Sequence, residues 1–245
     1  MAEWRTSHIT TSLGLIGTTG GSTWPAARVL ASFLSRLGTN GVSQPGEESI
    51  FTSSRILELG SGTGWLGLAI CTNTSPSYLL LTEQSQGGAL EHLKQNIEQN
   101  RISHGIDAQG VVMDCCTLDF GDHDEDHPVM KANWDFVIGS DLVYLPELAR
   151  SLPETWASLL RGPSKPLILY CHTLRRYDDL DQALFENAKK LSLHVFELPD
   201  ADAFHAFASG KHKWDQLERA AAHGSDGVPC DLFGEQRVVV YGISL

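Results

Sequence analysis

R-I-L-E-L-G-S-G-T-G-W-L-G-L-A, Arg55 to Ala69, decides the fold of this 245-residue chain. Ile56, Leu57 and Leu59 make a short apolar run that stops at glycines, and Trp65, Leu66, Leu68, Ala69 and Ile70 supply an apolar helical segment behind them. A buried strand, a tight glycine turn and a helix N-terminus form the unit that holds nucleotide-type ligands in open α/β sheets. Gly60, Gly62 and Gly64, with Ser61 between the first two, let the backbone turn sharply and leave no Cβ between it and a ligand. Gly62-x-Gly64-x-x-Gly67 also fits the dinucleotide fingerprint, so the glycines alone do not choose the ligand.

Glu58 narrows the choice. It stands two residues before the first glycine, where a pyrophosphate would meet an uncompensated carboxylate. S-adenosylmethionine has no phosphate and carries a sulfonium and an ammonium group, which the same charge attracts. A glutamate that caps the neighbouring backbone is the plainer alternative. With E-x-G-x-G-x-G at Glu58 to Gly64, the chain resembles the class I, seven-strand S-adenosylmethionine-dependent methyltransferases. The resemblance implies an α/β fold, a Rossmann-like doubly wound seven-stranded sheet with an antiparallel last strand, and S-adenosyl-L-methionine as cofactor.

Hydrophobic residues make up 42% and charged residues 20% of the chain, a globular composition. No apolar run reaches the roughly 20 residues that cross a bilayer, and M-A-E-W-R-T-S-H lacks the basic-then-apolar pattern of a secretory signal. Cys71, Cys115, Cys116, Cys171 and Cys230 have no C-x-x-C spacing and read as reduced thiols, not a disulfide framework or zinc site. The expectation is a cytoplasmic protein, with the nucleus also open. A net charge of -12, from 30 acidic and 18 basic residues, disfavours non-specific nucleic-acid binding and suits a basic protein target. Neither nucleic acid nor membrane is expected as a partner, and the protein is expected to be a monomer.

The expected organisation is one methyltransferase domain over 1–245, with an N-terminal arm and first helix (1–54), a core (55–198), an insertion (199–236) and a last strand (237–245). After a Gly/Ser/Thr-rich arm, Trp24-Pro25 opens a helix, with Ser22 or Thr23 as cap and Pro25 in the first turn. Val29, Leu30, Phe33, Leu34 and Leu37 recur at helical spacing. The segment G-G-S-T-W-P-A-A-R-V-L resembles the G-x-x-x-W-x-A-A-x-x-L helix of a narrower branch, the family 16 type, which methylates lysines on chaperones, elongation factors and similar proteins. That resemblance implies a Trp24 lying against the cofactor. Pattern alone allows an aromatic staple under the helix instead.

Tyr78 to Glu83 reads as a second strand ending in an acid. Glu83 follows the glycines by about twenty positions, where an acidic residue takes ribose hydroxyls. Both hydroxyls are donors and a carboxylate is acceptor-only; an ordinary strand-end acid facing water is the alternative. Gly87 to Asn100 reads as an amphipathic helix with Leu90, Leu93 and Ile97 on one face, and its L-x-x-N-x-x-x-N ending is similar to the branch. Residues 108–116 form a third strand. Three groups then compete for the adenine. Asp114 could meet its amino group, and Phe120 of Leu118-Asp119-Phe120 could stack as the counterpart of the branch's tryptophan. The Cys115-Cys116 region could line the pocket instead. Residues 121–133 read as a polar acidic loop whose histidines lack fixed metal-ligand spacing, so no metal is expected.

W-D-F-V-I-G-S-D-L-V-Y-L-P, Trp134 to Pro146, is the second informative stretch. Phe136, Val137 and Ile138 make a buried fourth strand, and Ser140, Asp141 and Tyr144 follow at the carboxyl edge of the sheet, where ligands bind. Asp141-x-x-Tyr144 matches the D-x-x-Y motif of the branch, which implies roles at the catalytic centre and the substrate-lysine channel. A helix cap (Asp141) and a packing tyrosine (Tyr144) are the alternatives. Helices at 148–160 and 180–191 and strands at 166–171, 194–198 and 237–243 complete the expected sheet. The connection 199–236 is far longer than a hairpin, and its Phe204, Phe207, Trp214 and Leu217 point to a packed helix. The function so implied is methyl transfer from S-adenosylmethionine to a lysine of a protein substrate, a chaperone or translation factor. Protein arginine, a small molecule, or a cofactor-binding adaptor without catalysis are the competing readings.

Overall fold

Ile56 and Leu57 are neighbours on one strand and end in different cores, one on each face of a central sheet. The computed structural model describes residues 4–7, 9–11, 22–37, 49–104, 110–121, 127–174, 179–210 and 237–245. β1 (Arg55–Leu59), β2 (Tyr78–Glu83), β3 (Val112–Thr117), β4 (Phe136–Ser140) and β5 (Leu167–Leu174) are parallel. β7 (Arg237–Ser244) runs antiparallel between β5 and β6 (His194–Glu197), and the order is β3-β2-β1-β4-β5-β7-β6. This is the expected doubly wound sheet with its antiparallel last strand.

Side chains alternate across a strand, and helices cover both faces, so both sets are apolar. Leu79, Leu81, Ile138, Leu169, Val238 and Val240 pack with α1 (Pro25–Leu34), α2 (Trp65–Asn73), α3 (Ala89–His104) and α7 (Ala201–Ala208). Leu57, Leu80, Val137, Ile168, Val239 and Tyr241 pack with α5 (Leu148–Arg161) and α6 (Asp179–Lys190). α2 is buried at every residue from Trp65 to Cys71, which explains why its sequence is apolar all round. The winding reverses between β1 and β4, and the crevice at their carboxyl ends is where such sheets hold ligands.

Several boundaries differ from the sequence expectation. Trp24 itself, in extended conformation, is the N-cap residue of α1 and makes no side-chain cap; Pro25 follows in the first turn. Thr23 Oγ1 instead lies 3.1 Å from Thr63 Oγ1. Within the expected acidic loop, α4 (Pro128–Lys131) is one helical turn whose His127 Nδ1 accepts from Val129 N at 3.3 Å; residues 122–126 lie outside the described residues. β5 continues through His172, Thr173 and Leu174 because β7 pairs with it as far as Leu174↔Arg237. α7 carries Phe204 and Phe207 into the core, whereas Trp214 and Leu217 lie outside the described residues. No described helix is long and apolar enough to cross a membrane.

Candidate active site

Gly60, Gly62 and Gly64 all take positive φ (55°, 54° and 78°), the left-handed region that glycine enters without strain. Ser61 N donates to Thr82 O and Gly64 N to Ser61 O, each at 2.8 Å, which closes the turn. Asn96 Nδ2 on α3 donates to Thr63 O at 3.0 Å, while Asn100, the second asparagine of that motif, pairs with the backbone of Thr10. A Cβ on Gly67 would lie 2.7 Å from Glu58 Oε2 and 2.8 Å from Leu81 Cδ2, so α2 sits directly on β1 and β2.

Beneath that first turn Glu58 is buried, and its Oε2 has no hydrogen-bond partner. Burial pushes its carboxyl up to about 8; the Gly67 N–H and the Ser61 hydroxyl oppose the rise and Glu83 adds to it. Glu83 does not face water: it is 7% exposed, its Oε2 accepts from Gly62 N at 2.7 Å and its Oε1 from Gln84 N at 3.0 Å. Burial raises its carboxyl too, with those two N–H groups pulling the other way.

One cleft collects Trp24, Glu58, Gly60, Ser61, Gly62, Glu83, Phe120, Ser140, Asp141 and Tyr144. Gly64 does not line it. Gly64 is the N-cap of α2, and a Cβ there would meet Leu93 Cδ1 at 2.6 Å, so its lack of a side chain serves packing on α3. Of the adenine candidates only Phe120 lines the cleft; Asp114, Cys115 and Cys116 lie on the edge strand β3. Trp24 is 43% exposed at the rim, which is not the burial of a staple. Tyr144 is 37% exposed there as well.

Asp141 caps no helix, since α5 begins at Leu148 behind Glu147. Its backbone is left-handed (φ 49°), and its N–H extends the sheet ladder to Cys171 O at 2.9 Å. Its Oδ1 accepts from Thr173 N at 2.7 Å and its Oδ2 from Thr173 Oγ1 at 2.8 Å. Sequence reasoning missed Thr173, because a polar H-T pair after an apolar run does not announce a continuing strand. It also missed Asp119, whose Oδ1 accepts from Ser85 N at 2.9 Å, and Leu142. Leu142 fills the space of two absent side chains: a Cβ at Gly60 or Gly139 would meet its methyls at 2.5 Å or 2.9 Å. That shared space was a signal available only once both glycines were placed together. Among the described residues no group of three or more His, Cys, Asp or Glu could hold a metal ion.

The family described as lysine methyltransferase matches residues 8–191. The chain is 27% identical over 180 residues to calmodulin-lysine N-methyltransferase of Arabidopsis thaliana, a match covering 74% of this chain and 53% of that one. It is 33% identical over 140 residues to protein-lysine N-methyltransferase EEF2KMT of Homo sapiens, covering 56% and 39%. Against protein-lysine N-methyltransferase EFM6 of Saccharomyces cerevisiae it is 26% identical over 204 residues, covering 82% and 81%. The chain thus spans about half or less of the first two relatives and most of the third. With the family matched from the N-terminal arm through α6, across both the glycine turn and Asp141-x-x-Tyr144, the chain belongs to the lysine methyltransferase family.

Proposed function

We propose that this chain transfers a methyl group from S-adenosylmethionine to a lysine side chain of a protein substrate, in the cleft at the carboxyl ends of β1, β2 and β4. The observation that carries this reading is the buried Glu58 carboxyl, with an unpartnered Oε2, in the same cleft as Asp141 and Tyr144. The cofactor fits the residues present. A cationic ligand favours the ionised Glu58 and pairs with it, whereas a phosphate finds no opposite charge there. Glu83, held by two backbone N–H groups, keeps further lone pairs for ribose hydroxyls. Phe120 and the half-exposed Trp24 offer flat faces to an adenine.

When bound, S-adenosylmethionine supplies a methyl group on positively charged sulfur. The acceptor amine must be neutral to attack it, and a free lysine has a pKa of about 10.4. Asp141 draws the ammonium to the mouth of the cleft. Thr173 fills two of the roughly four lone-pair sites on its carboxylate, and the others remain for the lysine nitrogen. Tyr144, at the same rim, orients the amine once its proton has left to solvent. Alignment within a confined site, rather than acid–base chemistry, then supplies most of the acceleration. The proposed acceptor is a chaperone or translation factor, met by a monomeric enzyme in the cytoplasm or nucleus; the branch resemblance and the acidic composition support this.

The test is incubation of the purified chain with a cell lysate and labelled S-adenosylmethionine, followed by identification of the labelled residue. A labelled lysine supports the reading, and labelled arginine or no labelled protein overturns it. Asp141→Ala should lose transfer at saturating methyl donor while keeping S-adenosylhomocysteine affinity within a few-fold, since the lost contact belongs to the acceptor. Labelling by Asp141→Ala at the wild-type rate would remove Asp141 from the reaction.

A further inference from the structure

Behind Asp141, polar groups run through the apolar core. Tyr170 and His172, on β5, are buried, and Asp181, in the first turn of α6, is 8% exposed. Leu142 N lies 3.2 Å from the Tyr170 hydroxyl and, as a backbone donor, fixes that oxygen as acceptor. The Tyr170 oxygen lies 3.0 Å from His172 Nδ1, a bond the hydroxyl donates when the ring proton is on Nε2. Asp181 Oδ1, an acceptor 2.6 Å from His172 Nε2, favours the ring proton on that nitrogen. The chain runs from α6 through β5 and ends on the Leu142 backbone amide.

A carboxylate, an imidazole and a phenol are expensive to bury, and apolar side chains of similar volume would hold β5 against α6 as well. What the polar chain adds is directional: it grips the peptide between Asp141 and Leu142. Asp141 lies in the left-handed region, which aspartate enters more readily than most non-glycine residues but still at a cost that fixed partners offset. Thr173 grips the same residue by its carboxylate, and Cys171 O by its N–H. β5 therefore holds both ends of this turn.

We propose that the Asp181–His172–Tyr170 chain and Thr173 are positioning groups: they lock the left-handed turn at Asp141 and so set its carboxylate, and the segment leading to Tyr144, at the reacting end of the cleft. In its kinetic part the proposal rests on the methyltransferase reading above. Its conformational part stands on the bonds themselves.

The full chain would be compared with Tyr170→Phe and Thr173→Val, which remove one hydroxyl each at nearly constant shape. Thr173→Ser is the conservative control, because it keeps the hydroxyl that donates to Asp141 Oδ2. Three readouts apply: hydrogen–deuterium exchange over residues 141–145, S-adenosylhomocysteine affinity by calorimetry, and the initial rate of labelling of lysate proteins at saturating labelled S-adenosylmethionine. Orphaning a buried hydrogen-bonding group is expected to cost about tenfold. In Tyr170→Phe and Thr173→Val, exchange should therefore rise about tenfold and labelling fall about tenfold, with ligand affinity within about threefold; Thr173→Ser should stay near wild type. Unchanged exchange over 141–145 would overturn the proposal. So would a loss of ligand affinity equal to the loss of rate, which marks a general collapse of the pocket. If the wild-type chain labels nothing, the methyltransferase reading falls, and exchange still decides whether these groups hold the turn.

Discussion

At Glu58, stability and ligand binding act on the same proton in opposite directions. Burial raises its carboxyl from 4.5 to about 8. Between those values the folded chain holds a proton that the unfolded chain has released, so this group's contribution to stability falls as pH rises from 4.5 toward 8. An ammonium brought beside Glu58 favours the ionised form, so at pH 7 the ligand should expel a proton as it binds. Glu58→Gln keeps the shape without the ionisation. Its Tm should exceed that of wild type at pH 8.5, with the advantage vanishing near pH 5. Its affinity for S-adenosylhomocysteine should be at least about tenfold weaker, as for loss of a charge-assisted bond. Calorimetry in two buffers of different ionisation enthalpy should show proton release with wild type only; equal release with Glu58→Gln would contradict the assignment. Glu83→Ala should also lose about tenfold in affinity, because it removes ribose acceptors and frees the Gly62 N–H at once. The position of both acids was legible in the sequence, from their offsets to the glycines. Their protonation was not, because it depends on how closely α2 and β2 exclude water.

The element that excludes it is α2, and Gly67 sets its distance from the sheet. Replacing a mid-helix glycine with alanine usually gains up to about 1 kcal/mol in helix propensity. Here the new methyl would lie 2.7 Å from Glu58 Oε2 and 2.8 Å from Leu81 Cδ2, both buried. Overpacking of that kind costs about 1–3 kcal/mol and outweighs the gain. Gly67→Ala should therefore unfold at lower urea with an unchanged slope, and bind S-adenosylhomocysteine more weakly because Glu58 is displaced. A stabilised variant with normal affinity would show that the helix can lift without consequence. Apolar runs bounded by glycine or proline made β1, β2, β4 and α2 legible in advance. The C-terminal part of β5 was not, because His172 and Thr173 enter the sheet through pairing with β7, some seventy residues further on. A one-dimensional pattern carries no record of that partner. The Thr23 hydroxyl was misread for a similar reason: it fits a helix cap locally but is taken by Thr63.

Across the whole molecule, the cleft draws on five stretches that are far apart in sequence: Thr23 and Trp24 before α1, the glycine turn after β1, Glu83 and Gln84 at the end of β2, Leu118 to Phe120 after β3, and Ser140 to Tyr144 after β4. Direct bonds join some of them: Thr23 to Thr63, Gly62 N to Glu83 Oε2, and Leu118 N to Glu83 O. A ligand that touches all five ties them together in the folded state and has nothing comparable to bind in the unfolded chain. By mass action it then adds about 2.7 kcal/mol at a hundred times its Kd. For a chain of this size each kcal/mol moves Tm by about 2–4 °C, so S-adenosylhomocysteine at that excess should raise Tm by roughly 5–10 °C. NAD at the same concentration should give no shift. Its pyrophosphate would have to sit at the glycine turn beside Glu58, which repels it when ionised and offers it no counter-charge when protonated. A shift with NAD equal to that with S-adenosylhomocysteine would mean that the glycine turn, and not the acid beneath it, selects the ligand. The size of the shift in Glu58→Gln separates the two contributions: loss of selectivity with some residual stabilisation assigns charge discrimination to Glu58 and the remaining grip to the turn and the aromatic rim.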